Sequence, residues 1–252
     1  MMDIKSWNYT IKDNFDNAAH YYSNYSLVQK HFANKLVNLI DKLKPPKGEW
    51  VDLGSGTGYL ADLIENKFFP INVTRIDFSP KMLDENKKNS KTILWDLNLD
   101  LPVHIKNNSM VISSFCLHWL NQPEKAIMQW FERLAPGGFL LVLFPTNKCF
   151  PEWKETCKKC NIEYSGITFP YSNILKNLFK KNKNFSMKEY NYKETFPNIY
   201  LLFKSMINVG AQSTHSKRIS VSQFKLLQKK WPKDKYEKVN LTWNINILIL
   251  QK

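Results

Sequence analysis

Apolar and polar residues follow different patterns in successive parts of the chain. Over residues 13–42 apolar residues recur every three or four positions, which predicts helix, and Pro45 ends this segment. Over residues 49–145 short apolar runs alternate with stretches of helical spacing. That alternation predicts parallel strands joined by helices that cover both faces of one sheet. Ligands of such sheets bind at the carboxyl ends of the strands.

The pattern changes again after residue 146. Residues 147–184 predict short helical stretches, and residues 186–196 predict a strand. Helical spacing returns at residues 198–209 and 220–230. Residues 239–250 then alternate weakly and predict a last strand that closes the sheet. We therefore expect four parts: a helical segment (1–44), a core (45–146), an insertion that also holds remaining core elements (147–238) and a last core strand (239–252).

A glycine-rich turn follows the first apolar strand. Residues 50–53 predict a buried strand, and Gly54, Gly56 and Gly58 then occupy every second position before the next helix. Glycine suits such a reversal because it adopts positive φ and lets the backbone approach a ligand. A dinucleotide-binding turn has its third glycine one position later, where this chain has Tyr59. The turn therefore indicates no pyrophosphate site.

Two acidic residues accompany the turn. Asp77 ends the next apolar strand, at about the 20-residue distance at which a carboxylate binds both hydroxyls of a ribose. Asp52, in the strand before the turn, favours a ligand with a cationic group. S-adenosylmethionine carries a ribose, a positive charge and no phosphate, so the sequence predicts it as the cofactor.

These residues resemble the motifs of the class I methyltransferases, which have an acid, a G-x-G-x-G turn and an acid ending the second strand. Later landmarks follow in the same order: residues 93–96 before an adenine-side loop, a strand at 109–115, and a proline-glycine turn at 136–138 before another strand. The resemblance implies an α/β, Rossmann-like fold with seven mainly parallel strands and a substrate-side insertion.

The flanking segments are similar to one enzyme family within this class. Residues 18–29, 113–119, 206–211 and 227–243 resemble the malonyl-[acyl-carrier protein] O-methyltransferases of biotin synthesis. The similarity runs nearly end to end and includes the insertion. It therefore implies methylation of the free carboxylate of a malonyl thioester on acyl-carrier protein. The chain departs from the family's usual residues at Ser55, His118 and Trp243.

A malonyl substrate would demand little acid–base chemistry. Its carboxyl group, with a pKa of about 4, is ionised at neutral pH, so no general base is needed. Methyl transfer from a sulfonium to a carboxylate neutralises charge, so a dry pocket that aligns the reacting atoms is favourable. An arginine clamp on the attacking oxygen would stabilise the ground state more than the transition state.

The resemblance and this chemistry assign roles to particular residues. Asp77 binds the ribose, and Asp52 faces the methionine ammonium group. Tyr21 and His118 are the catalytic candidates that border the methyl group and the substrate, with helix packing and an ordinary buried histidine as their alternatives. The remaining assignments are Phe78 and Met82 on the faces of the adenine, Asp96 and Leu97 at its edge, and Trp119 and Arg218 at the substrate, where a solvated charge is the alternative for Arg218.

The charge of the chain indicates an acidic partner. Lys and Arg number 36 against 22 Asp and Glu, a net charge of +14, and lysines are concentrated over residues 176–183 and 225–238. Such groups attract acidic molecules, among them an acyl-carrier protein or a nucleic acid. We expect the carrier protein, since no nucleic-acid-binding motif is present. Compositional drift is the alternative.

The remaining features exclude several classes. The first residues form no apolar signal segment, and no apolar run approaches the about 20 residues that span a bilayer. We therefore expect a cytoplasmic monomer without membrane contact. Cys157 and Cys160 have no second ligand pair, so we expect ordinary thiols in a helix and no metal.

Three alternatives share the predicted cofactor site. They are a methyltransferase acting on a small-molecule carboxylate, a tRNA methyltransferase, and an assembly factor of the same fold that does not methylate.

Overall fold

Seven strands form one sheet in the computed structural model, which describes residues 4–214 and 219–252. In chain order they are β1 (Trp50–Leu53), β2 (Val73–Asp77), β3 (Thr92–Leu94), β4 (Asn108–Ser114), β5 (Leu134–Pro145), β6 (Phe185–Phe196) and β7 (Val239–Gln251). Their spatial order is β3-β2-β1-β4-β5-β7-β6, and β7 runs antiparallel to its neighbours β5 and β6. The pairs from β3 through to β5 are parallel, so the predicted fold class is confirmed.

Helices cover both faces of this sheet. They are α1 (Ile4–Tyr25), α2 (Leu27–Leu43), α3 (Tyr59–Lys67), α4 (Pro80–Asp84), α5 (Pro123–Glu132), α6 (Pro151–Cys160), α7 (Ser172–Phe179), α8 (Ile199–Asn208) and α9 (Val221–Lys230). One face packs against α2 and α3, and the other against α5 and α7. Adjacent strand residues serve opposite faces because strand side chains alternate: Trp50 packs beneath α2, and Val51 packs toward α5.

The predicted N-terminal helical segment consists of two helices, and the first begins at Ile4, before the helical spacing that starts at residue 13. Ser26, with φ −80° and ψ 49°, leaves helical geometry and separates α1 from α2. Buried side chains such as Phe32 and Ile40 attach α2 to the sheet. Helix α1 instead contacts α4 and α8 at the carboxyl ends of the strands. The break allows one sequence segment to serve both the core and the site.

Three of the helices that follow β5 have a separate hydrophobic cluster of their own. Strand β5 ends at Pro145 opposite Ile245, whereas β6 stays paired with β7 as far as Val239, about 20 Å further at about 3.4 Å per residue. Helices α6, α8 and α9 pack against this extension through a cluster that includes Trp153 and Leu227. The extended strand pair thus holds these helices above the carboxyl ends of the parallel strands.

Two other expectations concern this region and the chain as a whole. Cys157 and Cys160 lie in α6 as free thiols, and the Cys157 side chain is buried in the cluster that includes Trp153 and Leu227. In the described parts of the chain, no helix has both the length and the apolar character that crossing a bilayer requires.

Candidate active site

The glycine turn joins β1 to α3 in the way that the sequence predicts. Gly54, Gly56 and Gly58 have φ values of 71°, 54° and 79°, and the Gly54 amide donates to the Ile76 carbonyl at 2.8 Å. A β-carbon on Gly54 would collide with the Cys116 side chain, so a larger residue is excluded on two grounds. The turn is therefore held against β2 and the end of β4 by close backbone packing.

Asp77 connects the turn to the end of β2. Its carboxylate accepts hydrogen bonds from the Gly56 amide at 2.8 Å and from the Ser79 amide at 2.9 Å. Each oxygen keeps a second lone pair, so the same carboxylate can accept from two ribose hydroxyls. Burial raises the pKa of this carboxyl above its usual value, while its backbone hydrogen bonds oppose that shift.

A cavity of about 70 Å³ opens beside this carboxylate. It adjoins a more open pocket of about 430 Å³ that also contacts Asn8, Phe78 and Asp96. Small-ligand sites usually measure about 300–1,000 Å³, so a cofactor of that size would use both compartments. Seven of the nine predicted cofactor residues line the first cavity: Gly54, Gly56, Asp77, Phe78, Met82, Asp96 and Leu97.

Asp96 is oriented by its own loop. Its Oδ1 accepts from the Asn98 amide and from the Asn98 side chain, both at 2.9 Å. These two hydrogen bonds fix the carboxylate at the cavity wall, and neither of them uses Oδ2. Oδ2 can therefore accept a hydrogen bond from an amino group, such as that of adenine.

Asp52 and Gly58 lie behind the cavity wall rather than on it. The Asp52 side chain is buried, and neither of its oxygens has a hydrogen-bond donor within the described residues. Burial raises the pKa of Asp52 to about 7; the Asp77 charge adds to this shift and the Arg75 charge opposes it. A cationic ligand at the turn would favour the ionised form, so the site fits the positive charge of the predicted cofactor.

A larger cavity of about 480 Å³ lies on the substrate side. It shares four aromatic residues with the smaller cavity: Phe15, Tyr22, Phe115 and Trp119. Phe15 and Trp119 pack edge to face with their ring centres 5.4 Å apart. The two cavities are therefore adjacent and share one aromatic wall, which these four residues form. A cofactor site and a substrate site must be adjacent in this way if a group is to pass directly from one ligand to the other.

His118 and Trp119, both predicted from the sequence, line the larger cavity. The His118 ring lies 5.0 Å from the Trp119 ring and 5.3 Å from the Phe169 ring, centre to centre. Its Nδ1 is buried without a hydrogen-bond partner in the described part of the chain. Burial lowers the pKa of His118 to about 3, so the imidazole is neutral at physiological pH.

Tyr21 does not reach either cavity, which corrects the sequence-based choice of tyrosine. Its side chain is 57% exposed and contacts His20, whereas Tyr22 lines both cavities. Consecutive residues of a helix point about 100° apart, so one position decides which tyrosine faces the site. The helical spacing that links Phe15 and Tyr22 was the sequence signal that Tyr22 is the tyrosine facing the cavities.

Two further expectations concern the substrate and metal ions. Arg218 lies outside the described residues, so its assignment to the substrate stays a prediction. Within residues 4–214 and 219–252, no group of three or more His, Cys, Asp and Glu side chains is arranged to hold a metal ion.

Known proteins are similar to this chain in both sequence and fold. Residues 51–142 match a family model described as a methyltransferase domain. The chain is 26% identical over 257 residues to malonyl-[acyl-carrier protein] O-methyltransferase 2 of Ilyobacter polytropus, covering 96% of this chain and 97% of that protein. It is 25% identical over 219 residues to the malonyl-[acyl-carrier protein] O-methyltransferase of Bacillus cytotoxicus, covering 81% and 76%.

Solved structures share the fold at low sequence identity. A putative methyltransferase from Bacillus halodurans superposes with a TM-score of 0.58 at 13% identity, covering 86% of this chain and 98% of that one. The plantazolicin methyltransferase BpumL, solved in complex with SAH, has a TM-score of 0.53 at 14% identity and covers 96% and 89%. The matched domain, the full-length relatives and the strand order agree: the chain has the class I methyltransferase fold, contains a methyltransferase domain at residues 51–142, and is similar over 96% of its length to a malonyl-[acyl-carrier protein] O-methyltransferase.

Proposed function

We propose that this enzyme methylates the free carboxylate of a malonyl thioester on acyl-carrier protein, in the synthesis of the biotin precursor. The observation that carries the proposal is the aromatic wall shared by two cavities, one beside Asp77 and the glycine turn, the other large and mostly apolar. Relatives with that named activity align over 96% of the chain, so the similarity extends well beyond the domain at residues 51–142.

The cofactor side would hold S-adenosylmethionine through short, locally fixed contacts. Asp77 accepts from the ribose hydroxyls, Phe78 and Met82 flank the adenine, and Asp96 accepts from its amino group. The buried carboxyl group of Asp52 lies behind the turn, and its ionised form would favour the methionine ammonium group. When bound, the cofactor supplies an electrophilic methyl group on a sulfonium.

The substrate side would orient the carboxylate without clamping it. Among the described residues that line the larger cavity there is no lysine or arginine. Tyr22 and His118 are neutral at physiological pH and can act as hydrogen-bond partners for the oxygen that is not attacking. Aromatic side chains exclude water, which favours a reaction that neutralises charge. No proton has to be removed, because the malonyl carboxylate is already ionised.

The carrier protein would dock beside α9. This helix follows Ile219, which lines the larger cavity, and its lysines are exposed. The exposed lysines of residues 225–238 therefore lie on this helix and in the segment that follows it, and we propose that a carrier-bound substrate approaches from this side. Exposed charges of this kind accelerate the encounter with an acidic partner.

Mass spectrometry of the products tests the proposal. Malonyl-carrier protein and acetyl-carrier protein are incubated separately with the enzyme and S-adenosylmethionine. We expect a monomethylated product from the malonyl substrate alone, because the acetyl group lacks the second carboxylate. Methylation of acetyl-carrier protein, or no product from malonyl-carrier protein under conditions where the cofactor binds, would overturn the assignment.

A further inference from the structure

Glu194 is a carboxylate in the larger cavity, where the other described lining residues carry no charge. It lies on β6 near the end of the sheet extension and is partly buried. The described residues that share this cavity with it include no cation, and burial raises the pKa of its carboxyl group. An acidic group here is unexpected for an enzyme whose proposed substrate ends in a carboxylate, because two like charges repel strongly in a dry cavity.

Trp243 holds this carboxylate in place. Its indole N–H donates to Glu194 Oε2 at 2.7 Å, and within the described residues no other donor contacts the carboxylate. The two residues are diagonal neighbours on one face of the β6–β7 pair, where Tyr192 is opposite Trp243. One carboxylate oxygen is therefore engaged, while Oε1 is left to a ligand.

The position of Trp243 separates Glu194 from the reacting groups. The Trp243 ring packs against Phe150 at 4.6 Å and Phe115 at 6.0 Å, centre to centre. Phe115 belongs to the wall shared with the cofactor cavity. One aromatic layer thus lies between the carboxylate of Glu194 and that wall, so its partner is a more remote part of the substrate.

The geometry points to Glu194 as the specificity-determining residue that accepts a hydrogen bond from an amide N–H in the arm of the carrier-bound thioester. This inference rests on the proposed function. A pantetheine-type arm offers amide donors a few bonds beyond the thioester sulfur, and a carboxylate is a strong acceptor for them. The same charge repels the malonyl carboxylate, so it also sets the direction in which the substrate enters.

Binding of pantetheine, measured by calorimetry, tests this inference without requiring methyl transfer. We compare the wild type with Glu194→Gln, which keeps the size and an acceptor oxygen but removes the charge. A matched control is Glu189→Gln on the same strand, where the carboxylate pairs with Lys148 outside the cavity. We expect about tenfold weaker binding for Glu194→Gln alone. Equal affinities of wild type and Glu194→Gln, or no binding by the wild type, would overturn the inference.

A substrate comparison separates a recognition role from a structural one. Malonyl-N-acetylcysteamine contains one amide N–H, and the malonyl ethyl thioester contains none. We expect Glu194→Gln to lower kcat/KM about tenfold for the first and to leave the second unchanged. Equal losses on both would mean that Glu194 only supports Trp243. If the wild type does not methylate malonyl-carrier protein, the proposed function fails, while the pantetheine measurement still decides the role of Glu194.

Discussion

The cofactor side and the substrate side of the cavity pair are built in different ways. On the cofactor side, the backbone amides of Gly56 and Ser79 donate hydrogen bonds that fix Asp77. The backbone amide of Asn98 fixes Asp96 in the same way. On the substrate side, aromatic side chains from α1, α6, α8 and β7, together with Phe115 immediately after β4, converge on one space. The cofactor side is held mainly by hydrogen bonds between residues close together in the sequence, and the substrate side by packing between distant ones. The two sides should therefore respond differently to mutation.

Removal of the ribose acceptor should produce the largest effect on the cofactor side. We expect Asp77→Ala to weaken S-adenosylmethionine binding by about 1.5–3 kcal/mol, or about 10- to 150-fold, because two hydroxyls lose a charged acceptor. Calorimetry measures this directly. Asp84→Ala, an exposed acid at the end of α4, is the control and should bind normally. Unchanged affinity in Asp77→Ala would remove the basis for the cofactor assignment.

The shared wall should respond through one tyrosine and not through its neighbour. We expect Tyr22→Phe to lower kcat about tenfold at saturating cofactor, since it removes one hydrogen-bonding group that borders both cavities. Tyr21→Phe, one residue away and exposed, should leave kcat unchanged. Steady-state kinetics compares the two. A larger loss for Tyr21→Phe would show that α1 turns a different face to the site.

The effect of pH should separate the two sides. The pKa of about 7 at Asp52 means that its ionised fraction rises between about pH 6 and 8, so the Kd of the cationic cofactor should fall several-fold over that interval. Asp52→Asn should lose this dependence. At saturating cofactor kcat should stay flat, because His118, with a pKa of about 3, remains neutral and the substrate remains ionised. Titration calorimetry and rate profiles measure both. A Kd that rises with pH would contradict the role of Asp52.

The smallest expected effect concerns the exposed lysines. We expect Lys229→Gln with Lys230→Gln to raise KM for malonyl-carrier protein two- to threefold at low salt and to leave kcat alone, because exposed charges steer encounter and are screened. The control is Lys180→Gln with Lys181→Gln beside α7. This helix packs on the sheet face that α5 also covers, whereas α9 packs in a different cluster. Equal changes from both pairs would mean that net charge matters and that the surface beside α9 does not.

The contrast between the two sides also explains what the sequence could predict. The strands, the glycine turn and the acidic residues could be predicted from the sequence, because the local structure of each depends on residues only a few positions away. Tyr22 was missed although its spacing from Phe15 placed it on the apolar face of α1, since the choice of Tyr21 rested on resemblance rather than on helix geometry. The break at Ser26 has no signal in hydrophobic spacing, because both helices keep an apolar face on either side of it.

The larger cavity was less predictable for a physical reason. Glu194 and Trp243 are 49 residues apart, and their contact depends on the register of β6 against β7 beyond the end of β5. Phe150 reaches the same space through a left-handed backbone conformation, with φ 62°, immediately before α6. Hydrophobic periodicity predicts that such residues are buried, but it does not predict which of them surround a common space.

The most direct test of methyl transfer across the shared wall follows the methyl group itself. S-adenosylmethionine with a ¹³C-labelled methyl group is incubated with the enzyme and malonyl-carrier protein, and the product is examined by NMR. We expect the label to appear as the methyl of an ester on the terminal malonyl carboxylate. Label on the malonyl methylene carbon or on a nitrogen, or label that stays on the cofactor while both ligands are bound, would contradict transfer to the carboxylate.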